Sequence, residues 1–396
     1  MYQQRITKLQ DMMTAQAIDC FILTRHVDLF YYTGSMQAGY LLIPARGAPL
    51  YYVRRSVTRA MEETDIQVEP LDSLKTWGNR ISQAFPVLSE DCNIALTFDT
   101  LPVELYERFQ LVLPKAKWVN GTSIVRTLRM VKEESELACM RRAALLVDMA
   151  LRQTVPKIHA GMKEIELLAE IEYVMRKQGH LGTMRVRAMN MEMVTGIAAS
   201  GANAAKPSAF DGPAGGAGIH PAFPKGAGLD TLKNGEPILL DIGCNVDGYL
   251  IDQTRTAVIG DLAEDLTCAY QTSELILRAI EQRLRPGTIC EDLYVMSLEM
   301  AERAGLSEHY MGYKSNAVKF VGHGFGLEID EWPILARGFR TSLEPGMVIA
   351  IEPKFTFPDR GVVGIENSYV ITNDGFEKLT VSAEGIWQLR PNSSAY

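Results

Sequence analysis

Two segments of the chain each contain a pair of apolar runs joined by turn-forming residues, with acidic residues inside the runs. In residues 238–259 the runs flank Asn-Val-Asp-Gly at 245–248, a sequence typical of a β-hairpin turn. If all four of these residues form the loop, Asp241 pairs with Asp252. Directly opposed residues share one sheet face, with Cβ atoms about 4.5–5.5 Å apart. The segment therefore predicts two buried carboxylates side by side.

Residues 347–372 predict a second hairpin of the same kind. The sequence Pro-Asp-Arg-Gly at 358–361 indicates a turn, and a loop centred on Asp359 pairs Glu352 with Glu366. Two buried carboxylates at this separation repel each other and lose hydration, which is costly unless a cation lies between them. Two independent hairpins with this arrangement predict a cation site.

A histidine between glycines provides a fifth candidate ligand. His323 lies in Val-Gly-His-Gly-Phe-Gly at 321–326, and the glycines allow the backbone to approach a ligand closely. A lone histidine is more often structural, but beside four paired carboxylates a ligand role is favoured. Four carboxylates and one imidazole suit Mn²⁺, Fe²⁺, Co²⁺ or Zn²⁺ in a site for two metal ions.

Composition excludes several classes of function. The 396 residues favour two domains, and the net charge of −8 gives no basis for binding nucleic acid. No apolar run approaches the roughly 20 residues needed to span a bilayer, so no membrane partner is expected. The six cysteines form no CxxC pair, which indicates reduced thiols in a cytoplasmic protein.

The order of elements indicates a small α/β unit followed by a larger one. Helical and strand-like segments alternate to about residue 120, and a long helical pattern begins near Ile124. We therefore place the domain boundary at residue 122. Residues 199–228 are rich in Gly, Ala and Pro, and we interpret them as an active-site wall in preference to a flexible insertion.

These residues resemble the metal ligands of the creatinase and methionine aminopeptidase ("pita-bread") superfamily. The matching strings are DIGxxxxGYxxDxTRT at 241–256, GHGxG at 322–326, PGMVxxIEP at 345–353 and IEN at 365–367. The N-terminal unit is similar to the creatinase-type domain of the aminopeptidase P and prolidase branch. The resemblance implies a two-domain α/β (α+β) fold, with a creatinase-like domain over 1–122 and a pita-bread metallohydrolase domain over 123–396.

The resemblance also implies a dinuclear site, preferably with Mn²⁺ and otherwise with Co²⁺, Zn²⁺ or Fe²⁺, in a homodimer. In it a metal-activated water attacks an amide carbonyl and Glu352 acts as the catalytic base. The metal ligands would be the five residues Asp241, Asp252, His323, Glu352 and Glu366.

Three positions depart from the peptidase pattern. Asp330 and Ser208 stand where the resemblance expects histidines that contact substrate, and Gly364 stands where it expects an arginine. We expect Asp330 and Ser208 to lie near the metals and to bind substrate, and His220 could supply an imidazole in place of a missing one.

The departures leave more than one function open. The first hypothesis is a hydrolase resembling Xaa-Pro aminopeptidases and dipeptidases, with a small peptide or amide as substrate. The alternative is a metal-dependent hydrolase or lyase of a small non-peptide substrate, as in creatinase, with the anionic Asp330 receiving a cationic group. A binding module without activity is disfavoured because all five ligands are present.

Overall fold

The computed structural model describes residues 2–89, 91–189 and 193–391. These residues form two compact units that divide between Arg129 and Met130, beyond the predicted boundary at residue 122. Each unit combines helices with β-sheet, so the predicted two-domain α/β class is confirmed. None of the described helices is long and apolar enough to cross a membrane.

The first unit is built on one six-stranded sheet. Its elements are α1 (Tyr2–Ala15), β1 (Cys20–Leu23), α2 (His26–Thr33), β2 (Gly39–Pro44), β3 (Leu50–Val53), α3 (Val57–Glu63), β4 (Val68–Pro70), α4 (Leu74–Ala84), β5 (Cys92–Leu96), α5 (Val103–Val112), β6 (Ala116–Asn120) and α6 (Thr122–Met130). The strand order is β4-β3-β2-β1-β5-β6. An aromatic cluster of Tyr40, Tyr52, Trp77 and Phe109 lies in its core.

The second unit holds more helix and three smaller sheets. It begins with α7 (Glu134–Thr154), α8 (Glu164–Lys177), β7 (Gly196–Ser200), α9 (Gly201–Ala204), β8 (Pro237–Val246), β9 (Tyr249–Ile259), α10 (Glu264–Glu281) and α11 (Cys290–Arg303). It continues with β10 (Phe320–Gly324), β11 (Glu331–Ala336), β12 (Val348–Ile351), β13 (Lys354–Phe357), β14 (Gly361–Gly364), β15 (Asn367–Ile371), β16 (Phe376–Lys378) and β17 (Trp387–Leu389).

The strands of the second unit pair in three groups. The sheets have the orders β17-β9-β8-β7 and β11-β10-β12-β15-β16, and β13 pairs with β14 alone. α7 packs against β8 and β9, and α11 packs against β10 and β11. Buried apolar side chains of α10 and α11, including Leu277 and Leu293, join Ile349 and Tyr369 in one core.

The long helical pattern that begins near Ile124 is interrupted. α6 ends at Met130 and α7 begins at Glu134. Between them Val131 forms an isolated bridge with Met347, and Glu133 caps α7 in a reciprocal pair with Glu136. The helix pattern therefore belongs to two helices, with the division between the units at the end of the first.

The Gly/Ala/Pro-rich segment is fastened to the start of α8. The described chain has no helix or strand between α9 and β8, from residue 205 to residue 236. The buried Glu164 carboxylate accepts hydrogen bonds from the Ser200 amide at 2.7 Å, Asn203 Nδ2 at 2.6 Å and the Gly228 amide at 2.9 Å. One carboxylate thus holds both ends of the segment, as an ordered wall requires.

Candidate metal centre

β8 and β9 carry the first pair of acidic residues. Asp241 lies opposite Thr254, so the predicted direct pairing of Asp241 with Asp252 is wrong by two residues. The turn contains two residues and not four. Asp247 and Gly248 adopt positive φ angles of 51° and 95°, as tight hairpin turns of this kind require.

The shift of two residues leaves both carboxylates on the same face of the sheet, because side chains alternate with a period of two. Asp252 lies opposite Gly243, which makes Asp241 and Asp252 diagonal neighbours. Diagonal positions are about 7–8 Å apart, within reach of a shared cation.

The second pair, Glu352 and Glu366, lies where two strand pairs meet. β12 pairs with β15, with Ile351 opposite Asn367, and the β13–β14 pair continues the same register. The predicted register is therefore observed on both sides of the two glutamates. Asp359 adopts a positive φ of 62° in the turn, where the sequence places the centre of the loop.

Thr254 joins the two hairpins. Its backbone forms an isolated antiparallel bridge with Glu366, and its hydroxyl donates to Glu366 Oε2 at 2.6 Å. The fully buried Arg255 donates to the Glu366 carbonyl at 2.7 Å, and Ser368 Oγ donates to the Asp252 carbonyl at 2.6 Å. These bonds hold the Glu366 carboxylate beside the strand that carries Asp252.

His323 enters the cluster from the middle of a sheet. On β10 it lies between Ala350 of β12 and Ile334 of β11. The neighbouring glycines are needed for this packing: a Cβ on Gly322 would lie 2.5 Å from the Ala350 carbonyl oxygen, and one on Gly324 2.2 Å from the carbonyl oxygen of the adjacent strand.

The hydrogen bond of the His323 ring indicates its tautomer. Nδ1 lies 3.2 Å from the Gly324 carbonyl oxygen, which can only accept, so Nδ1 carries the proton. Nε2 is then an unprotonated donor to a metal, 3.6 Å from Glu352 Oε1. An imidazole oriented by a backbone carbonyl is a common arrangement in metal sites.

A buried lysine that sequence reasoning missed lies among the carboxylates. Lys354 Nζ is 3.1 Å from Asp241 Oδ2, 2.6 Å from Glu352 Oε2 and 3.0 Å from Glu366 Oε2, and its side chain is fully buried. The predicted register of the second hairpin already placed Lys354 beside Glu352. A lysine in a strand of mainly apolar residues was the sequence feature that could have identified it.

The cluster shifts the pKa values of its members. Burial raises the pKa of Glu352 to about 7, against the opposing effect of the Lys354 ammonium. Burial, with the nearby Glu366 carboxylate, raises the pKa of Asp252 well above its usual range. Burial alone would lower the pKa of Lys354, but the surrounding carboxylates raise it well above its usual value. The site therefore attracts positive charge.

Three of the predicted ligands converge closely enough to hold an ion. One ligand atom from each of Asp252, His323 and Glu366 lies within 4.8 Å of the others. Glu366 Oε1 is buried and accepts no hydrogen bond from the described residues. A buried acceptor without a partner is costly, and a bound cation would remove that cost. These three residues, together with Glu352, fit one divalent ion. The Lys354 ammonium lies where a second ion would be bound.

Asp330 lies near His323 but is already engaged. Its Oδ1 accepts a hydrogen bond from the backbone N–H of Arg187 at 3.1 Å. Burial raises the pKa of the Asp330 carboxyl, and the electrostatic effect of His323 lowers it. The residue is therefore within electrostatic reach of the cluster.

Ser208 and His220 lie in the Gly/Ala/Pro-rich segment and are not in the converging group of candidate ligands. Ser208 lines an open groove of about 930 Å³ together with Phe320, whose ring is 6.1 Å from that of His323. His220 is exposed, and its Nδ1 accepts a hydrogen bond from the Ala222 amide at 3.1 Å. The place of Ser208 beside the metals stays a prediction, while the His220 ring is used within its own turn.

A second missed lysine, Lys225, lies in the Gly/Ala/Pro-rich segment. Its ammonium is 3.2 Å from Met193 Sδ and 4.5 Å from the centre of the Phe210 ring. Burial lowers its pKa, and the nearby carboxylates of the cluster, Asp241 first among them, raise it. The sequence around it carried no signal, because its burial depends on how an irregular segment folds back.

Comparisons with known proteins agree with this architecture. Residues 138–373 match the model of metallopeptidase family M24, and residues 5–131 match the creatinase/prolidase N-terminal domain. An Xaa-Pro dipeptidase from Pyrococcus horikoshii is 26% identical over 383 residues, which cover 95% of this chain and 97% of the relative.

Solved structures share the fold over nearly the whole chain. An Xaa-Pro dipeptidase from Bacillus anthracis superposes with a TM-score of 0.83 at 24% identity, covering 98% of this chain and 100% of the other. An X-Pro aminopeptidase from Thermotoga maritima gives 0.81 at 23% identity, covering 97% and 99%.

The family match covers more than half of the chain, including every predicted ligand. It implies divalent metal ions and makes the protein a metallohydrolase. With its creatinase/prolidase N-terminal domain, the chain belongs to metallopeptidase family M24, in the aminopeptidase P and prolidase branch.

Proposed function

We propose that this chain hydrolyses the peptide bond that precedes proline in dipeptides and very short peptides. Curated relatives that align over nearly their whole length are named Xaa-Pro dipeptidases. The single observation that carries the proposal is the position of Lys225, a buried cation beside the carboxylate cluster.

Lys225 has the properties of a receptor for a substrate carboxylate. No carboxylate of the described residues pairs with its ammonium, whose neighbours are the Met193 thioether and the Phe210 ring. A dipeptide carries its carboxylate one residue from the scissile bond. A cation beside apolar groups therefore suits a terminal proline, with the ring against Phe210 and the carboxylate against Lys225.

The candidate metal ligands and Glu352 would carry out the chemical step. A divalent ion, when bound, would lower the pKa of a water molecule and polarise the amide carbonyl. Glu352, with a pKa raised to about 7, can take up a proton and return it to the leaving proline nitrogen. The His323 ring is oriented by the bond from Nδ1 to the Gly324 carbonyl, which leaves Nε2 3.6 Å from Glu352 Oε1.

The alternative of a small cationic substrate is not favoured. It depends on Asp330 as an anionic receptor, but Asp330 already accepts the Arg187 amide and burial raises its pKa. Lys225 lies beside the cluster, and its own ammonium suits a substrate carboxylate better than a substrate cation.

The test compares alanyl-proline with alanyl-prolinamide, which lacks the carboxylate. Metal-stripped protein is loaded separately with Mn²⁺, Co²⁺ and Zn²⁺ and assayed on both. We expect the acid to be cleaved, with a KM lower than that of the amide by about 10- to 100-fold, as for one charged hydrogen bond. Absence of X-Pro cleavage with every metal would overturn the proposal.

Two lysine variants identify the receptor. Lys225→Met should raise the KM for alanyl-proline and remove the preference over the amide. Lys206→Met alters an exposed lysine of the same segment and should leave both KM values unchanged. A preference that survives Lys225→Met would place the carboxylate elsewhere.

The identity of the metal, the cellular location and the oligomeric state rest on the family resemblance. We propose Mn²⁺ as the native metal, which the oxygen-rich donor set suits, and metal analysis of the purified protein tests it. We further propose a cytoplasmic location, supported by six free cysteines, and a homodimer whose interface includes residues from 1–122. Light scattering that finds an active monomer at micromolar concentration would contradict the dimer.

A further inference from the structure

Lys354 occupies the position of a cation within the carboxylate cluster. An ammonium group has three N–H donors, and the three carboxylate oxygens lie 2.6–3.1 Å from Nζ. The three acceptors come from different parts of the two hairpins. A point about 3 Å from three carboxylate oxygens is where a bound cation is expected.

The cross-strand partner of Lys354 is adapted to it. Lys354 lies directly opposite Gly364 in the β13–β14 pair. Gly364 is not among the residues with positive φ, so its backbone does not demand glycine. A Cβ at this position would lie 2.7 Å from Lys354 Cγ and 2.7 Å from the Pro353 carbonyl oxygen. The missing side chain therefore makes room both for the lysine stem and for the neighbouring backbone, at the position where the family resemblance expects an arginine.

The ligand atoms that are not bonded to Lys354 suffice for one metal ion. Glu366 Oε2 receives both Thr254 Oγ1 and Lys354 Nζ, and only its Oε1 has no hydrogen-bond donor among the described residues. Glu366 is also one of the three residues, with Asp252 and His323, whose ligand atoms converge. A second ion would have to use Asp241, whose Oδ2 is bonded to Lys354, and would lie beside the ammonium.

The balance of charge in the cluster also agrees with a single metal ion. The four carboxylates carry four negative charges when ionised. One divalent ion, Lys354 and Lys225 carry four positive charges between them. Two divalent ions with the same two buried lysines would carry six, beside two buried and two partly buried carboxylates.

We propose that each chain binds a single divalent ion, through Asp252, His323, Glu352 and Glu366, and that the Lys354 ammonium supplies the second positive centre. The inference refines the metal site on which the proposed function rests. It replaces the dinuclear centre expected from the sequence with one metal ion and one fixed organic cation.

The experiment measures metal content and is independent of any substrate. Full-length protein is stripped, reconstituted with excess Mn²⁺ and desalted. Metal per chain is determined by mass spectrometry, and the Mn²⁺ spectrum by electron paramagnetic resonance. We expect one ion per chain in the wild type, with the signal of an isolated Mn²⁺ ion and none of a spin-coupled pair.

Two variants separate the charge of Lys354 from its volume. Lys354→Gly removes both, and should admit a second ion with a spin-coupled signal. Lys354→Met keeps the volume and removes the charge, so it should still bind one ion, more tightly than the wild type. Lys378→Gly, an exposed strand lysine paired with Glu384, is the control and should match the wild type.

Each outcome decides the proposal. A wild-type protein that binds two ions or none overturns it, as does a folded Lys354→Gly variant that stays at one ion. If that variant does not fold, the wild-type count and spectrum decide alone. Failure to cleave X-Pro dipeptides would refute the proposed substrate and leave the single-ion site standing.

Discussion

Thr254 and Glu366 are bonded twice, once through the backbone and once through the side chain. The backbone bridge connects the two hairpins, and the Thr254 hydroxyl donates to Glu366 Oε2 at 2.6 Å. Both residues are buried. The same contact therefore joins the two hairpins and orients a candidate metal ligand.

Thr254→Val should weaken metal binding as well as stability. The change leaves a buried carboxylate with one donor fewer, at a cost of about 1–3 kcal/mol. Thr256→Val is the matched control, because the Thr256 hydroxyl bonds only the Gly364 backbone among the described residues. We expect both variants to lower the unfolding temperature of the metal-free protein. Calorimetric titration with Mn²⁺ should show reduced affinity for Thr254→Val alone, and equal affinities would contradict the orienting role.

Asp241 and Asp252 should differ in their importance for the metal. Asp241 bonds Lys354, whereas Asp252 belongs to the converging group with His323. Asp252→Asn should lower Mn²⁺ affinity by more than about tenfold, the usual effect of disturbing a ligand shell. Asp241→Asn should lower it much less. The two affinities are measured by titration of stripped protein, and a similar loss in both would argue for two ions.

Lys225 should make stability depend on pH in a defined direction. Burial lowers its pKa below 10.5, so between the folded and unfolded pKa values the unfolded chain binds more protons. Stability from this group therefore rises with pH and is greatest above the unfolded value. Lys225→Met removes the cost of burying the charge. It should raise the unfolding temperature at pH 7 more than at pH 10, and a constant difference would refute the shift.

Glu164 should control the order of the Gly/Ala/Pro-rich segment. Its carboxylate accepts hydrogen bonds from four donors on residues 200, 203 and 228. Glu164→Gln places an amide N–H₂ among these donors and should cost about 1–3 kcal/mol. Limited proteolysis should then cut between residues 205 and 228. Glu166→Gln, an exposed residue of the same helical turn, should leave the cleavage pattern unchanged.

The hairpins show how far local sequence determines the site. The β13–β14 register followed from one turn signal, because the loop between Phe357 and Gly361 is centred on Asp359 as the sequence predicts. The β8–β9 register was wrong because Asn245 and Val246, although adjacent to turn-forming residues, continue β8. The position of the Asp-Gly pair alone, at 247–248, would have indicated the two-residue turn.

The two lysines were beyond the reach of local patterns for different reasons. Lys354 lay in a predicted strand, but its ion pairs depend on three carboxylates that only the folded hairpins bring together. Lys225 lies in an irregular segment, where periodicity predicts neither burial nor direction. The division of the helical pattern at Val131 likewise depends on a bridge to Met347, more than 200 residues away.

The two-residue turn at Asp247 and Gly248 also determines which pairing errors the candidate metal centre would tolerate. If the same chain paired with residues 245–248 all in the loop, Asp252 would move from a diagonal to a direct position beside Asp241 and would stay on the same face. If the register slipped by a single residue with no compensating bulge, every side chain of β9 would change faces and Asp252 would leave the cluster. The cluster therefore depends on the parity of the β8–β9 register, which is set by a turn that contributes no acidic residue to it.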